Sequence, residues 1–524
     1  MQTAFDLTRE AWIPVVTDDG EPIEVSLRTA LSEAHRIRRL SCELPTQDFA
    51  ILRLLLAVLH RAIDGPKNSD VWADLWDDDQ LPGQAIDAYL DRYAHRFDLL
   101  HPTTPFYQVA TLRPAKADAD DDVDLRKLIT DVPDRFPTGA MRRFTGLDAI
   151  TYADAARWLV HAHAFDASGI KTPMEGTTHP VQAGKIYPSG AAWAATTGPV
   201  YLAGANLRET LLLNLIPADQ CQYNTAADLP VWEKPHPDVT HSITPLTGKV
   251  DLYTCQERRI RLVHDGSAVT GALITYGDVR DATDHHNIDP LTAWKVTPDR
   301  GIRPVIHWRD SDHWRGLTSL LKHDDAIPPA VLSHVASLVE DGYLSDRYIA
   351  RTFTVGLKFD AQRGKVQGSV ADAFDLPARI VQDPELVARV LDAAAAADAA
   401  VAAYARAVLH LAKAAGLKPD RDTETKTGAY TDARADAYTR LRRVFMTWLR
   451  TVGTPGEQPV TTAYAAEIRR MWNTASAQAP PTVIAGRQTI GPDGTRHTFC
   501  EALAAQGLNA ALARLTAPTT EGDL

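Results

Sequence analysis

The chain has 524 residues and a mass of 57.4 kDa, more than one hydrophobic core usually serves, so two or three packed units are expected. Hydrophobic residues make up 45% and charged residues 23%, which is the balance of a globular protein and excludes a disordered one. A formal net charge of -12 excludes a small, uniformly basic nucleic-acid binder, while leaving room for basic patches on an acidic body.

The opening residues, MQTAFDLTREAW, carry acids and no apolar core, so they do not read as a secretory signal. AWIPVVTDDGEPIEVSL (11–27) reads as two short strands around an Asp18-Asp19-Gly20 turn. A helix is predicted over Gln47 to Ile63, behind Pro45-Thr46, with Phe49, Leu52, Leu56 and Leu59 at helical spacing. The acidic stretch Asp118 to Asp122 reads as a solvated loop, because adjacent like charges repel and cannot be buried unpaired. VPDRFPTGAMRRF (132–144) is broken by Pro and Gly and interleaves Arg135, Arg142 and Arg143 with Phe136 and Phe144. Such a loop can neutralise phosphates and stack on unpaired bases, or its rings can simply anchor it to the core. TPMEGTTHPVQAGKIYPSGAAW (172–193) has little periodicity and many small residues. It lets a backbone approach a ligand or groove closely, or serves as a long connection. Further strands are predicted at PVYLAG (199–204), RRIRLV (258–263) and GALITYG (271–277).

Beyond Leu376-Pro377 the strand signals fade and Ala dominates. Helices are predicted at about 383–416, 428–452, 459–474 and 496–516, with short connections that suit an up-and-down bundle. The expected fold class is therefore α+β: a large, irregular mixed α/β domain over 1–376, then a C-terminal four-helix bundle over 377–524. Residues 378–524 carry 17 Lys/Arg against 15 Asp/Glu, a net of +2 that leaves -14 on the rest. Arg440, Arg442, Arg443 and Arg450 fall in one predicted helix, Arg469 and Arg470 in the next, and Arg443 and Arg450 share a face at a spacing of seven. These arginines read as a solvated face or as a phosphate-contacting one.

Signals for catalysis are sparse. Cys42, Cys221, Cys255 and Cys500 lie far apart, so neither a disulfide framework nor a C-x-x-C metal clip is expected. No phosphate loop, nucleophile elbow or dinucleotide fingerprint is present. His161-Ala-His163 and Asp284-His285-His286 are the only close histidine groups. A metal-dependent hydrolase using His285 and His286 is the alternative reading, but a metal site needs three or four convergent ligands. A scaffold that binds only protein is the other alternative. No run of about 18 apolar residues occurs, so a soluble, cytoplasmic protein without membrane contact is expected.

FDLTREAWIPVV (5–16), ARWLVHAHAFDASGIKT (156–172), GPVYLAGANLRETLLLNLI (198–216), CQERRIRL (255–262) and DPLTAW (289–294), in this order and ahead of Ala-rich C-terminal helices, resemble the CasA family, the large subunits of the type I-E CRISPR surveillance complex Cascade. The resemblance covers essentially the whole chain. It implies a non-catalytic subunit that recognises a protospacer-adjacent motif (PAM) in double-stranded DNA and helps start duplex opening. Its implied partners are the guide RNA (crRNA), the PAM-containing duplex, the other Cascade subunits and a helicase-nuclease that it recruits. The family's glycine loop, which meets the PAM minor groove, corresponds to Gln182-Ala183-Gly184-Lys185. Its lysine finger falls at Gly277-Asp278-Val279-Arg280, where Val279 stands at the finger position and Arg280 is the substitute cation. Its glutamine wedge corresponds to Gln362, flanked by Ala361 and Arg363. Arg135, Phe136, Arg142, Arg143 and Phe144 correspond to the loop that docks near the guide RNA end, with Phe136 its anchor. Arg442, Arg443 and Arg450 are the candidates for holding the displaced, non-target strand. Some relatives bind zinc through paired cysteines; only Cys255 stands near that region here, so neither a metal nor another cofactor is expected.

Overall fold

Ile13 and Val15 point the same way along the first strand and are fully buried, the period-2 pattern of a half-buried strand. This strand, β1 (Ile13–Thr17), turns back through Asp18-Asp19-Gly20, where Gly20 takes φ 90°. β2 (Pro22–Val25) and β3 (Ile37–Leu40) pair with it antiparallel on either side. A computed structural model describes residues 4–116, 123–129, 147–220, 226–306, 313–360, 364–417, 428–490 and 495–517. The chain divides into two compact units, Met1–Phe374 and Asp375–Leu524.

The core of the first unit is built on α1 (Pro45–Ala62). Pro45 opens it, Asp48 lies in its first turn and Arg61 in its last, the charge order that a helix dipole favours. Besides the predicted stripe, Ile51, Leu54, Leu55 and Val58 are buried too, so the helix is enclosed rather than one-faced. Each such side chain contributes roughly 1.5–3 kcal/mol relative to exposure. α2 (Tyr152–Phe165) packs on α1; its first turn is capped by Thr151, whose hydroxyl accepts the Asp154 N–H.

Two strand systems carry the predicted functional loops. β4 (Val200–Ala203) lies at one edge of a three-stranded sheet. β5 (Arg258–His264) and β6 (Val269–Tyr276) form an antiparallel hairpin whose register runs from Arg258 opposite Tyr276 to His264 opposite Val269. β7 (Ile349–Phe359) is the centre of the β4 sheet, between β4 and β8 (Val366–Pro377).

The second unit contains four long helices among the described residues: α3 (Pro384–Ala414), α4 (Gly428–Leu449), α5 (Val460–Gln478) and α6 (Glu501–Thr516). Asp383 caps α3 by accepting the Glu385 and Leu386 N–H groups, and Gly416 follows its end with φ 109°. Ala393, Ala397, Ala400 and Ala403 are buried along α3, and such small side chains let α4, α5 and α6 pack closely on it. The segment predicted as helix from residue 496 begins as a strand instead. β9 (Arg487–Ile490) pairs antiparallel with β10 (Arg496–Phe499), and Cys500, with extended φ and ψ, separates β10 from α6. No helix among the described residues is long and apolar enough to cross a membrane.

Candidate nucleic-acid interface

Successive side chains of a strand point to opposite faces, so Arg258 and Arg259 at the start of β5 serve two different loops. Arg258 is 2% exposed. Its Nε donates to the Asp166 carboxylate, and its Nη2 donates to the carbonyl oxygens of Asp166 (3.2 Å) and Gly190 (3.0 Å). Lys171 Nζ reaches the same Asp166 oxygen at 2.6 Å. The Tyr276 ring lies 4.8 Å from the Arg258 guanidinium, and its hydroxyl donates to the Gly169 carbonyl at 2.6 Å. Burial disfavours charge on Asp166, but the Lys171 and Arg258 cations outweigh it and hold the carboxyl below its usual range.

Arg259, 4% exposed, fixes the other side. It donates to the Asp238 and Thr240 carbonyls and to Asp278 Oδ1, each at 2.7 Å. Two consecutive arginines thus hold the 166–190 loop, the 238–242 segment and the start of the 277–280 loop.

The Gln182–Lys185 turn stands on this base. Lys171 and Ile186 exchange both backbone hydrogen bonds at 3.0 Å, and Gln182 and Lys185 exchange theirs at 2.9 and 3.1 Å. Between them Ala183 has φ 51° and Gly184 φ 71°, two successive left-handed residues that make a tight two-residue hairpin turn. Residues 181–185 are all exposed. Lys116 comes from a separate segment, held to the loop by the Ala115 N–H on the Pro173 carbonyl and the Glu175 N–H on the Arg113 carbonyl. Its ammonium stands 3.4 Å from where a Cβ on Gly184 would sit.

His179 joins the turn to the 277–280 loop. Its Nε2 donates to the Gly277 carbonyl at 2.8 Å, and its ring stacks on His241 at 4.1 Å between centroids. The side chain of Arg280 is turned inward. It is 9% exposed, donates to the Ser242 carbonyl at 3.3 Å and lies 3.6 Å from Asp278. It also faces Glu257, whose carboxyl burial pushes up to about 7 against the pull of Arg258, the Trp193 N–H and Arg280. Val279, by contrast, is 38% exposed.

Ala361, Gln362 and Arg363 lie outside the described residues, but their flanks are defined. The Asp360 N–H donates to the Lys365 carbonyl at 3.0 Å, and its carboxylate accepts the Gly364 and Lys365 N–H groups at 2.8 and 3.2 Å. A Cβ on Gly364 would sit 3.5 Å from the Ser168 carbonyl, within the segment that Arg258 and Lys171 hold. The 182–185 turn and the end of the β7–β8 hairpin therefore flank residues 168–171, and His179 ties the 277–280 loop to the loop that carries the turn. Arg135, Phe136, Arg142, Arg143 and Phe144 lie outside the described residues.

In the second unit Arg443 is exposed on α4 and Arg442 is half-buried. Arg450, one residue past α4, is 58% exposed and pairs with Asp375. Arg440 of α4 and Arg470 of α5 both reach Glu467, at 3.9 and 2.6 Å.

The histidines have local structural roles. His285 Nδ1 lies 2.7 Å from the Thr283 carbonyl and its ring meets Trp193 edge-on, while His286 meets Trp294. His161 bonds Thr46 and His163 the Tyr107 carbonyl; burial pushes them down to about 3 and about 4. Among the described residues no three His, Cys, Asp or Glu side chains are grouped to hold a metal ion. Sequence reasoning missed Asp166, Lys171, Arg258, Arg259, His179 and Lys116. For the arginines the available signal was a consecutive charged pair opening a predicted strand; for Lys116 and His179 no local signal exists.

Comparison with known proteins adds to this geometry. The family model of CRISPR-associated protein Cse1 matches residues 6–479. A curated relative, CRISPR-associated protein CasA/Cse1 of Thermus thermophilus, is 31% identical over 360 residues, which is 66% of this chain and 66% of that protein. The crystal structure of Thermobifida fusca Cse1 is 35% identical, covers 98% of both chains and superposes with a TM-score of 0.85. A chain of a CRISPR RNA-guided surveillance complex shares the fold at 19% identity, with a TM-score of 0.72 over 98% of this chain and 100% of that one.

Proposed function

The chain belongs to the family of CRISPR-associated Cse1 proteins, and on that premise we propose that it is the non-catalytic large subunit of an RNA-guided surveillance complex. In this reading it captures double-stranded DNA through a PAM, helps part the strands beside it, and recruits the helicase-nuclease that degrades the target. The observation that carries the reading is the link of the Gln182–Lys185 turn to the 277–280 loop through His179, and to the β7–β8 hairpin end through the segment held by Arg258 and Lys171.

The exposed turn, narrow and backed by backbone pairing, enters the minor groove. The groove offers a degenerate donor and acceptor pattern, so backbone contacts from Gln182, Ala183 and Gly184 with one cation, Lys185, read a permissive PAM. Val279 faces the groove edge from the second loop, and Arg280 steadies that loop from behind. A direct contact from Arg280 requires its release from Ser242 and Asp278. Gln362, between Ala361 and Arg363, wedges the adjacent base step, an unstacking that costs a few kcal/mol and is offset by guide pairing and backbone contacts. Arg442, Arg443 and Arg450 follow the phosphates of the displaced strand, where contacts position without reading sequence. Arg135, Phe136, Arg142, Arg143 and Phe144 meet the guide RNA end beside the other subunits.

The test is equilibrium binding by the complex assembled with guide RNA, with and without this chain. Expected is loss of PAM preference without the chain, while pairing to a pre-melted target persists. Unchanged PAM preference without the chain overturns the proposal.

A further inference from the structure

We infer that Lys116 is a second DNA-contacting cation at the Gln182–Lys185 turn, contributed by a segment distant in sequence from it. The inference rests on the reading of that turn as the PAM contact. The loop next to the turn presents an apolar Val279 and keeps the guanidinium of Arg280 inside, on Ser242 and Asp278. A groove-entering turn is flanked by two phosphate rows, one on each strand, and Lys185 is a single point charge. The geometry supplies the second charge from residues 113–116. Pro114 bridges Met174, and the Ala115 and Glu175 N–H groups lock the two segments together at 3.0 and 2.8 Å. That pairing delivers Lys116, itself exposed, so that its ammonium stands beside Gly184. A side chain at position 184 would be strained by φ 71° and would come into contact with the ammonium at 3.4 Å. The glycine therefore keeps the turn narrow on the side where Lys116 lies. Lys116 and Lys185, from different segments, then give the turn two cations for the two backbones that border a groove about 6 Å wide.

The experiment uses the complete complex with guide RNA carrying Lys116→Ala, Lys116→Arg or Lys185→Ala. Binding is measured to a matched PAM duplex over a salt series and to a pre-melted target lacking the PAM duplex. Lys116→Ala is expected to weaken capture of the PAM duplex roughly threefold to tenfold and lower the salt slope by about one, as loss of one phosphate contact does. Lys116→Arg should retain the wild-type slope, and the pre-melted target should be bound within about twofold by all three variants. If Lys185→Ala weakens capture and Lys116→Ala changes neither affinity nor slope, the inference fails while the reading of the turn stands. If neither lysine variant affects the PAM duplex, the reading of the turn fails, and the inference with it. Equal weakening on both targets by Lys116→Ala assigns the residue to assembly and also overturns the inference.

Discussion

The charged residues of the candidate sites in the two units are placed in opposite ways. In the first, Asp166, Arg258 and Arg259 are buried and Lys171 is partly buried, and each holds a backbone segment or another charge. In the second, Arg443 and Arg450 stand on the surface, and Arg450 pairs there with Asp375. The difference teaches what each kind of charge can do. A buried ion is costly unless fully partnered, and so specifies one geometry for the loops around it. An exposed ion is screened and mobile, contributes little to folding, and remains available to a partner's phosphates.

The largest test of this contrast is thermodynamic. Asp166→Ala leaves the Lys171 and Arg258 cations facing each other without their shared carboxylate and should destabilise the first unit by about 3–5 kcal/mol. Arg450→Ala, which breaks a pair of the same chemical type at the surface, should cost less than about 1 kcal/mol. Denaturant unfolding followed separately for each unit measures both, and equal losses would break the comparison.

Acid should also separate the units. His161 and His334 are pushed down to about 3 and His163 to about 4, chiefly by burial, and His60 is lowered for the same reason. The unfolded chain takes up protons on these rings near pH 6.5, so their contribution falls progressively as pH drops below that value. Asp48 and Glu257 act in the other direction. Raised by burial to about 6 and about 7, they keep protons in the fold and add stability as pH falls toward the ordinary carboxyl range. His179, His236 and His286 are lowered by burial as well and Asp228 is raised, so among the described residues of the first unit seven imidazoles oppose three carboxyls. Below about pH 4 the carboxyl gain is exhausted while the loss from the most strongly lowered imidazoles continues. The first unit should therefore unfold in acid well before the second, where His410 is the one histidine lowered by burial among the described residues. A pH series of thermal melts with unit-specific probes decides; simultaneous melting at every pH would remove this distinction.

Smaller effects are expected at the DNA. Lys185→Ala should change the ranking of PAM variants, with specific contacts worth on the order of 1–3 kcal/mol each. The Arg443→Ala/Arg450→Ala double variant should leave that ranking unchanged and flatten the salt dependence of a pre-opened bubble by about one per lost phosphate contact. Gln362→Ala should slow opening of a matched duplex and spare a pre-melted one, read by stopped-flow fluorescence of a base analogue beside the PAM. A bundle variant that reorders the PAM panel would erase the division between buried organisation and surface contact.

Most elements are legible in the sequence because their signals are local. The Asp18-Asp19-Gly20 turn, the α1 stripe and the Ala-rich α3 lie within a few residues of their neighbours in the chain. The pairing of β9 with β10 is not legible, since Arg496–Phe499 directly precedes a helical pattern and its partner strand lies several residues earlier in the chain. The site divides in the same way. The small residues of Gln182–Lys185 announce a loop, but its proximity to Lys116 and its link through His179 to Gly277 are tertiary. Arg258 and Arg259 look like ordinary strand arginines until burial shows them inside.

The Arg258 hub has a kinetic consequence. By clasping the Asp166 and Gly190 carbonyls it fixes both ends of the loop that carries the turn, so the loop's conformational entropy is surrendered during folding and not at encounter. A turn already shaped when DNA arrives needs no ordering step before it samples a site. Nor does it gain the extra grip that induced closure would bring to a wrong one. On the proposed reading, in which the turn samples many DNA sites before the right one, this favours short visits and rapid departure.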